Sequence, residues 1–120
     1  MIDLHGHYLP WVGDGVASLD EALLMLRMAE ADGVRVAVLT PTVVPGPTPL
    51  ARVELEKKFA AFAQIARRRG LHVHLRLGAE LVHGPGAIEA IDRGELPFIG
   101  AWEGRQVALL RWAEDFIPIG

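Results

Sequence analysis

The chain has 120 residues, no cysteine and a formal net charge of −3, and 51% of its residues are hydrophobic. The length suits one domain, which we predict over residues 1–120, and neither the acidic balance nor the short apolar stretches favour nucleic-acid binding or membrane insertion. Without cysteine the chain offers no disulfide, no zinc–thiolate site and no thiol nucleophile, so cysteine-based phosphatase chemistry is excluded.

The first predicted elements are an apolar strand and a capped helix. The strand covers residues 2–5 and opens the chain, so we expect no signal peptide and a cytoplasmic location. Ser18 and Glu21 form a capping box that begins the helix, and Gly33 ends it. The apolar stripe predicted for this helix comprises Leu19, Ala22, Leu23, Leu26 and Ala29.

Strands continue to alternate with helices along the rest of the chain. In order, we predict a strand over residues 34–40, a loop over 41–49, a helix capped by Thr48 and ended by Gly70, a strand over 71–77, a short helix over 86–93 and a strand over 106–112. The long helix is predicted to bury Leu50, Val53, Phe59, Phe62 and Ala66. This order predicts an α/β fold with a parallel sheet and about four βα units, a partial (β/α) barrel.

The motif His5-Gly6-His7 predicts a metal site. Two imidazoles at i and i+2 of an extended segment point the same way and can close on one divalent cation, and Gly6 leaves that approach open. Functional side chains of parallel α/β folds gather at the C-terminal strand ends, and Glu80 follows the third strand. Two imidazoles and one carboxylate can hold a divalent cation. Alternatively, Glu80 caps the following segment or pairs with a cationic side chain.

Other histidines offer weaker candidates. His83 lies close to Glu80 in sequence and could add a ligand, although a loop histidine is commonly just solvated. His72, His74 and Arg76 share one face of the third strand. This polar row suits a solvated concave side or an interface with another chain, and a second metal site at His72 and His74 is an alternative.

Six motifs occur in an order that is typical of one family. They are Met1 to Pro10, Gly13-Asp14-Gly15, Ala31-Asp32-Gly33-Val34, Leu39-Thr40-Pro41, Gly78-Ala79-Glu80 and Gly94-Glu95-Leu96. The chain thereby resembles the first half of bacterial metal-dependent protein-tyrosine phosphatases of the PHP (polymerase and histidinol phosphatase) superfamily, which act in capsule and exopolysaccharide synthesis. The resemblance implies a distorted seven-stranded barrel, three divalent metals, often manganese, and phosphotyrosine on a tyrosine kinase as the substrate.

The same resemblance implies roles for individual residues. His5, His7 and Glu80 look like ligands of the first metal, with Glu80 bridging to the second. Asp14 looks like a ligand of the third metal, although an Asp-Gly pair can equally cap its own turn. We therefore expect the metal ligands of this chain to come from these four residues.

Two ligand positions are altered. Thr42 stands where the family has a histidine, and Arg111 falls where it has a bridging glutamate. A hydroxyl is a poor replacement for imidazole, and a guanidinium has only donors, so we expect at most one divalent metal per chain, manganese or zinc. Arg111 could place a fixed positive charge beside Glu80 and substitute electrostatically for the second metal. Alternatively, it faces solvent on an edge strand.

Three functional interpretations follow. The first is a degenerate phosphatase relative, a binding or regulatory module that meets a tyrosine kinase or a phosphotyrosine protein. The second is an active metal-dependent phosphatase whose site is completed by a second copy, a separately encoded half or a different mononuclear mechanism, and the third is a truncation without function. Thr42 and Arg111 favour the first, because truncation alone would leave retained ligand positions unaltered. Unpaired strand edges also predict a homo-oligomer, most simply a two-fold dimer.

Overall fold

The computed structural model describes residues 1–12, 18–43, 52–82, 84, 86–93 and 99–111. The elements are β1 (Ile2–Gly6), α1 (Leu19–Ala31), β2 (Val36–Leu39), β3 (Thr42–Val43), α2 (Arg52–Arg68), β4 (His74–Leu77), β5 (Glu80–Val82), α3 (Ala87–Asp92), β6 (Gly100–Trp102), β7 (Arg105–Val107) and β8 (Leu109–Arg111). Strands β1-β2-β4 and β3-β5-β8 form two parallel sheets, and β6 and β7 form an antiparallel pair. The predicted α/β class with parallel strands is confirmed.

The two parallel sheets meet where the metal site was predicted. Only two residues separate β2 from β3, and only two separate β4 from β5. Backbone hydrogen bonds bridge both gaps. The amide of Thr40 donates to the carbonyl of Gly6 over 2.8 Å, and the amide of Glu80 donates to the carbonyl of Pro41 over 3.0 Å. These bonds hold the end of β1 close to the start of β5.

Helices α1 and α2 cover one face of the β1-β2-β4 sheet. The hydroxyl of Ser18 accepts a hydrogen bond from the amide of Glu21 over 3.1 Å, which satisfies a donor in the first turn of α1. Gly33 follows the helix with φ +94°, a conformation that favours glycine. The predicted stripe of α1 is confirmed, because its members are all buried or packed against the core: Leu19, Ala22, Leu23, Leu26 and Ala29.

The predicted inner face of α2 needs one correction. Phe62 and Ala66 are buried and Phe59 packs against the core, as expected, but Val53 is 58% exposed and Leu55 is fully buried instead. Leu55 precedes Phe62 by seven residues and lies on the same stripe, whereas Val53 is about 200° away from Leu55 around the helix. Leu50 and the predicted cap Thr48 lie outside the described residues.

The single fourth strand predicted over residues 106–112 is wrong. Strands β7 and β8 divide this segment, and β7 turns back antiparallel onto β6. The two residues of the turn, Glu103 and Gly104, have φ of +49° and +78°, the left-handed pair that a two-residue hairpin requires. The fold therefore contains an antiparallel pair of strands besides its two parallel sheets. Trp112 lies outside the described residues.

The predicted alternation along the third strand is confirmed. His72, His74 and Arg76 are exposed, whereas Val73 is buried and Leu75 is partly buried against the core. Among the described residues, no helix is long and apolar enough to cross a membrane.

Candidate metal centre

The histidine segment is held by Asp3, a residue that the sequence analysis did not single out. One carboxylate oxygen, Oδ1, accepts a hydrogen bond from the amide of His5 over 3.0 Å. The other, Oδ2, accepts one from the hydroxyl of Tyr8 over 2.7 Å. Burial, followed by the hydrogen bond and the negative charge of Asp3, raises the pKa of Tyr8 to about 12, so the phenol stays a neutral donor.

Gly6 is required for a reason different from the predicted one. An added Cβ would lie 2.9 Å from Cε2 of the Tyr8 ring and 3.3 Å from the carbonyl oxygen of Val38. Glycine therefore lets the Tyr8 ring fold back over the strand toward Asp3. This packing is a second role of Gly6 beside the predicted open approach to a cation.

Three side-chain atoms from distant parts of the chain form a small triangle. His5 Nε2 lies 2.7 Å from Glu80 Oε2, His7 Nε2 lies 2.8 Å from the same oxygen, and the two nitrogens are 2.9 Å apart. Glu80 is 7% exposed at its side chain, whereas His5 is 52% exposed. The triangle thus has a buried carboxylate at its base and an open side toward solvent.

Hydrogen bonding cannot satisfy all three edges of this triangle. Each Nε2 carries one proton at most when the imidazole is neutral, and a carboxylate oxygen only accepts. If both nitrogens donate to Glu80, their own 2.9 Å contact sets two N–H groups against each other. If one nitrogen is unprotonated, its lone pair faces the lone pairs of the carboxylate oxygen, so one edge is repulsive while Glu80 is ionised.

A divalent cation would satisfy the same three atoms. Neighbouring ligands at about 2.1 Å from one cation are about 3.0 Å apart in octahedral geometry and about 3.4 Å apart in tetrahedral geometry, so the edges of the triangle are closer to the octahedral spacing. Two neutral imidazoles and a carboxylate form a common ligand set for zinc and similar metals. Among the described residues, His5, His7 and Glu80 are the one set of three such groups whose ligand atoms lie within 4.8 Å of one another. The donor set therefore fits a metal.

The two altered ligand positions both lie beside Glu80. Thr42 is the register partner of Glu80 on β3, and Leu109 is its partner on β8. Arg111, two residues after Leu109 on the same strand, has its Nε 3.9 Å from Glu80 Oε1. The Arg111 side chain thus points toward Glu80, as the hypothesis that it substitutes electrostatically for a metal requires.

The two oxygens of Glu80 face different groups. Oε2 is the oxygen that contacts both imidazoles, whereas Oε1 is the one nearest the guanidinium of Arg111. The remaining predicted candidates, Asp14 and His83, lie outside the described residues. The alternative site at His72 and His74 has no third ligand group among the described residues.

Comparisons with known proteins point to capsule synthesis. The sequence profile described as "Capsular polysaccharide synthesis, CpsB/CapC" matches residues 1–108. Similar curated proteins include the tyrosine-protein phosphatases CpsB of Streptococcus agalactiae and Streptococcus pneumoniae, each 28% identical over 97 residues. These matches cover 81% of this chain but 40% of each relative, so the chain spans less than half of their length.

The fold is shared with a solved structure. The matched chain comes from the crystal structures of YwqE from Bacillus subtilis and CpsB from Streptococcus pneumoniae, which are described as unique metal-dependent tyrosine phosphatases. This chain aligns with it at a TM-score of 0.82 and 20% sequence identity. The alignment covers 98% of this chain and 47% of that chain. At this identity, the likeness establishes a common fold.

Proposed function

Because the chain belongs to the CpsB/CapC family of capsular polysaccharide synthesis, we propose that it is a degenerate, catalytically impaired relative of the metal-dependent tyrosine phosphatases. In this proposal it holds one divalent metal, manganese or zinc, at His5, His7 and Glu80 and serves as a binding or regulatory module. The family predicted from the sequence motifs is confirmed. The observation that supports the proposal is the triangle of ligand atoms, which a divalent cation would satisfy.

The limit of one metal per chain follows from the neighbours of Glu80. Thr42 offers a neutral hydroxyl, a poor replacement for imidazole, and Arg111 offers only donors and a permanent positive charge, so neither is suited to hold a second cation. A metal bound at the triangle would attract an oxyanion and acidify a coordinated water. Among the residues of the chain, Glu80 supplies one negative charge to the metal site, and Asp3 holds the backbone of His5 in place.

An active phosphatase is the second candidate. The open side of the triangle favours it, because the half-exposed His5 leaves room for ligands from another polypeptide. In that case a second copy of the chain, or a separately encoded half, would complete the site. Asp14 and His83 remain proposed ligands in both versions, and in the version with one metal they would add to His5, His7 and Glu80.

The fold, assembly and location belong to the same proposal. We infer a partial (β/α) barrel of about four βα units, with residues 1–120 in one domain. The open edges of such a barrel support a homo-dimer or a larger homo-oligomer. A tyrosine kinase or a phosphotyrosine protein is the proposed partner in the cytoplasm, by analogy with the family.

Metal analysis with a phosphatase assay tests the proposal. We expect about one manganese or zinc per purified chain, loss of that metal in His5→Ala and Glu80→Gln, and retention in His74→Ala, which removes an exposed histidine elsewhere. Hydrolysis of p-nitrophenyl phosphate should stay at background. Turnover that His5→Ala and Glu80→Gln abolish would establish the active phosphatase instead, and three metals per chain would contradict both the impairment and the charge argument.

A further inference from the structure

We propose that Arg111 anchors a phosphate group beside the metal, so that the cation and the guanidinium together form a site for a phosphomonoester dianion. This inference rests on the proposed metal site and assigns a ligand-binding role to a residue that would otherwise only mark a lost metal. It begins from the division of Glu80, whose Oε2 contacts the imidazoles while Oε1 lies near Arg111.

The contact with Glu80 does not engage the N–H donors of Arg111 in a hydrogen bond. The 3.9 Å between Nε and Oε1 is too long for a hydrogen bond, and the Arg111 side chain is 49% exposed. Structural arginine–carboxylate pairs are commonly shorter and bidentate, with two parallel N–H donors engaged. Within the described part of the chain this is the only polar contact of the Arg111 side chain. Its N–H donors are therefore available to a ligand.

The fold directs Arg111 toward the metal site. Strand β8 pairs in parallel with β5, and the register sets Leu109 opposite Glu80 and Arg111 opposite Val82. Paired residues of parallel strands share a face, and residues two apart on one strand also share it, so Arg111 and Glu80 project from the same side of this sheet. The guanidinium of Arg111 thus extends back along β8, by two residues, toward the Glu80 carboxylate that is proposed to hold the metal.

The charge of the loaded site selects the ligand. A divalent cation and Arg111 contribute three positive charges, and Glu80 contributes one negative charge, with one more from Asp14 as a proposed ligand. The net charge of the loaded site is therefore positive and favours an anion. A phosphomonoester carries about two negative charges at neutral pH, so it is attracted more strongly than a carboxylate, and its oxygens match the planar fork of arginine donors.

The test is one substitution with opposite effects on two ligands. In Arg111→Gln, manganese affinity should stay the same or rise, since a nearby positive charge is removed. Affinity of the manganese-loaded protein for inorganic phosphate, measured by calorimetry, should fall about tenfold or more, because a charge-assisted hydrogen bond is lost. Arg111→Lys should lose less, and Arg105→Gln, an exposed arginine on β7, should match the parent chain.

Each outcome decides the question. Phenylphosphonate, which cannot be hydrolysed, tests whether an ester binds as well as free phosphate, and acetate tests whether any anion suffices. Equal phosphate affinity in Arg111→Gln and the parent chain, or equal affinity for acetate, would overturn the anchor. A parallel loss of manganese would instead make Arg111 a support for Glu80 and also overturn it. Failure of the parent chain to bind either manganese or zinc would refute the metal site itself.

Discussion

The residues around the two histidines hold one another in position through hydrogen bonds and packing. Tyr8 donates to Asp3, Asp3 accepts from the amide of His5, and the ring of Tyr8 packs against Gly6. Asp3, Gly6 and Tyr8 are not members of the triangle, which His5, His7 and Glu80 form. They set the position of the ligands, and a change in one of them should be visible at the others.

The titration of Tyr8 tests this arrangement directly, because it is the only tyrosine of the chain. In metal-free protein, absorbance of the tyrosinate should rise near pH 12 and not near pH 10, the value expected in urea. A folded-state pKa above the unfolded one means that the contribution to stability is complete below about pH 10 and is lost as the pH rises toward 12. In Asp3→Asn the folded-state pKa should move back toward 10; an unchanged titration would contradict the role of Asp3.

Substitution of Gly6 should disturb the same network by packing. In Gly6→Ala the new methyl group would meet the Tyr8 ring at 2.9 Å, and we expect a loss of about 1–3 kcal/mol in the free energy of unfolding. Manganese affinity should fall with it. Gly100→Ala is the matched control, since no atom lies within 4 Å of the added Cβ. Equal urea midpoints for the two variants would show that the Tyr8 ring moves aside at no cost.

The elements show which parts of the fold local patterns can predict. The cap, stripe and end of α1 depend on residues within a few positions of one another, and all three agree with the structure. The hairpin of β6 and β7 depends on Glu103 adopting a positive φ, which its side chain does not favour, so no local pattern indicated it. The 3.9 Å approach of Arg111 to Glu80 depends on strand register, which the sequence alone does not determine.

The corrected face of α2 gives a prediction for stability. Leu55 is fully buried in the second core cluster, with Val43 and Leu81, so Leu55→Ala should lower the free energy of unfolding by about 2–5 kcal/mol. Val53→Ala, on the exposed side of the same helix, should change it by less than about 0.5 kcal/mol. Urea denaturation of both variants measures the difference. A larger loss for Val53→Ala would restore the stripe expected from the sequence.

At the scale of the whole molecule, three of the exposed apolar side chains lie on the outermost strands. In the described part of the chain, β1 and β8 each end a sheet, and each has one neighbour. Ile2 and Leu4 on β1 and Leu110 on β8 are exposed. Because Ile2 pairs with Val36 while Ala37 faces the helices, Ile2 lies on the sheet face that the helices leave uncovered, and Leu4 is exposed beside it.

This coincidence predicts how the proposed homo-oligomer forms. Burial of unpaired edges and of the apolar side chains beside them stabilises association, so the chain should sediment as a dimer or larger species at micromolar concentration. Leu4→Lys should shift it to a monomer, because a charge is unfavourable in such an interface. Leu24→Lys, at an equally exposed position on α1, should not. A parent chain that sediments as a monomer would contradict the assembly, and dissociation by Leu24→Lys alone would move the interface to the helical face.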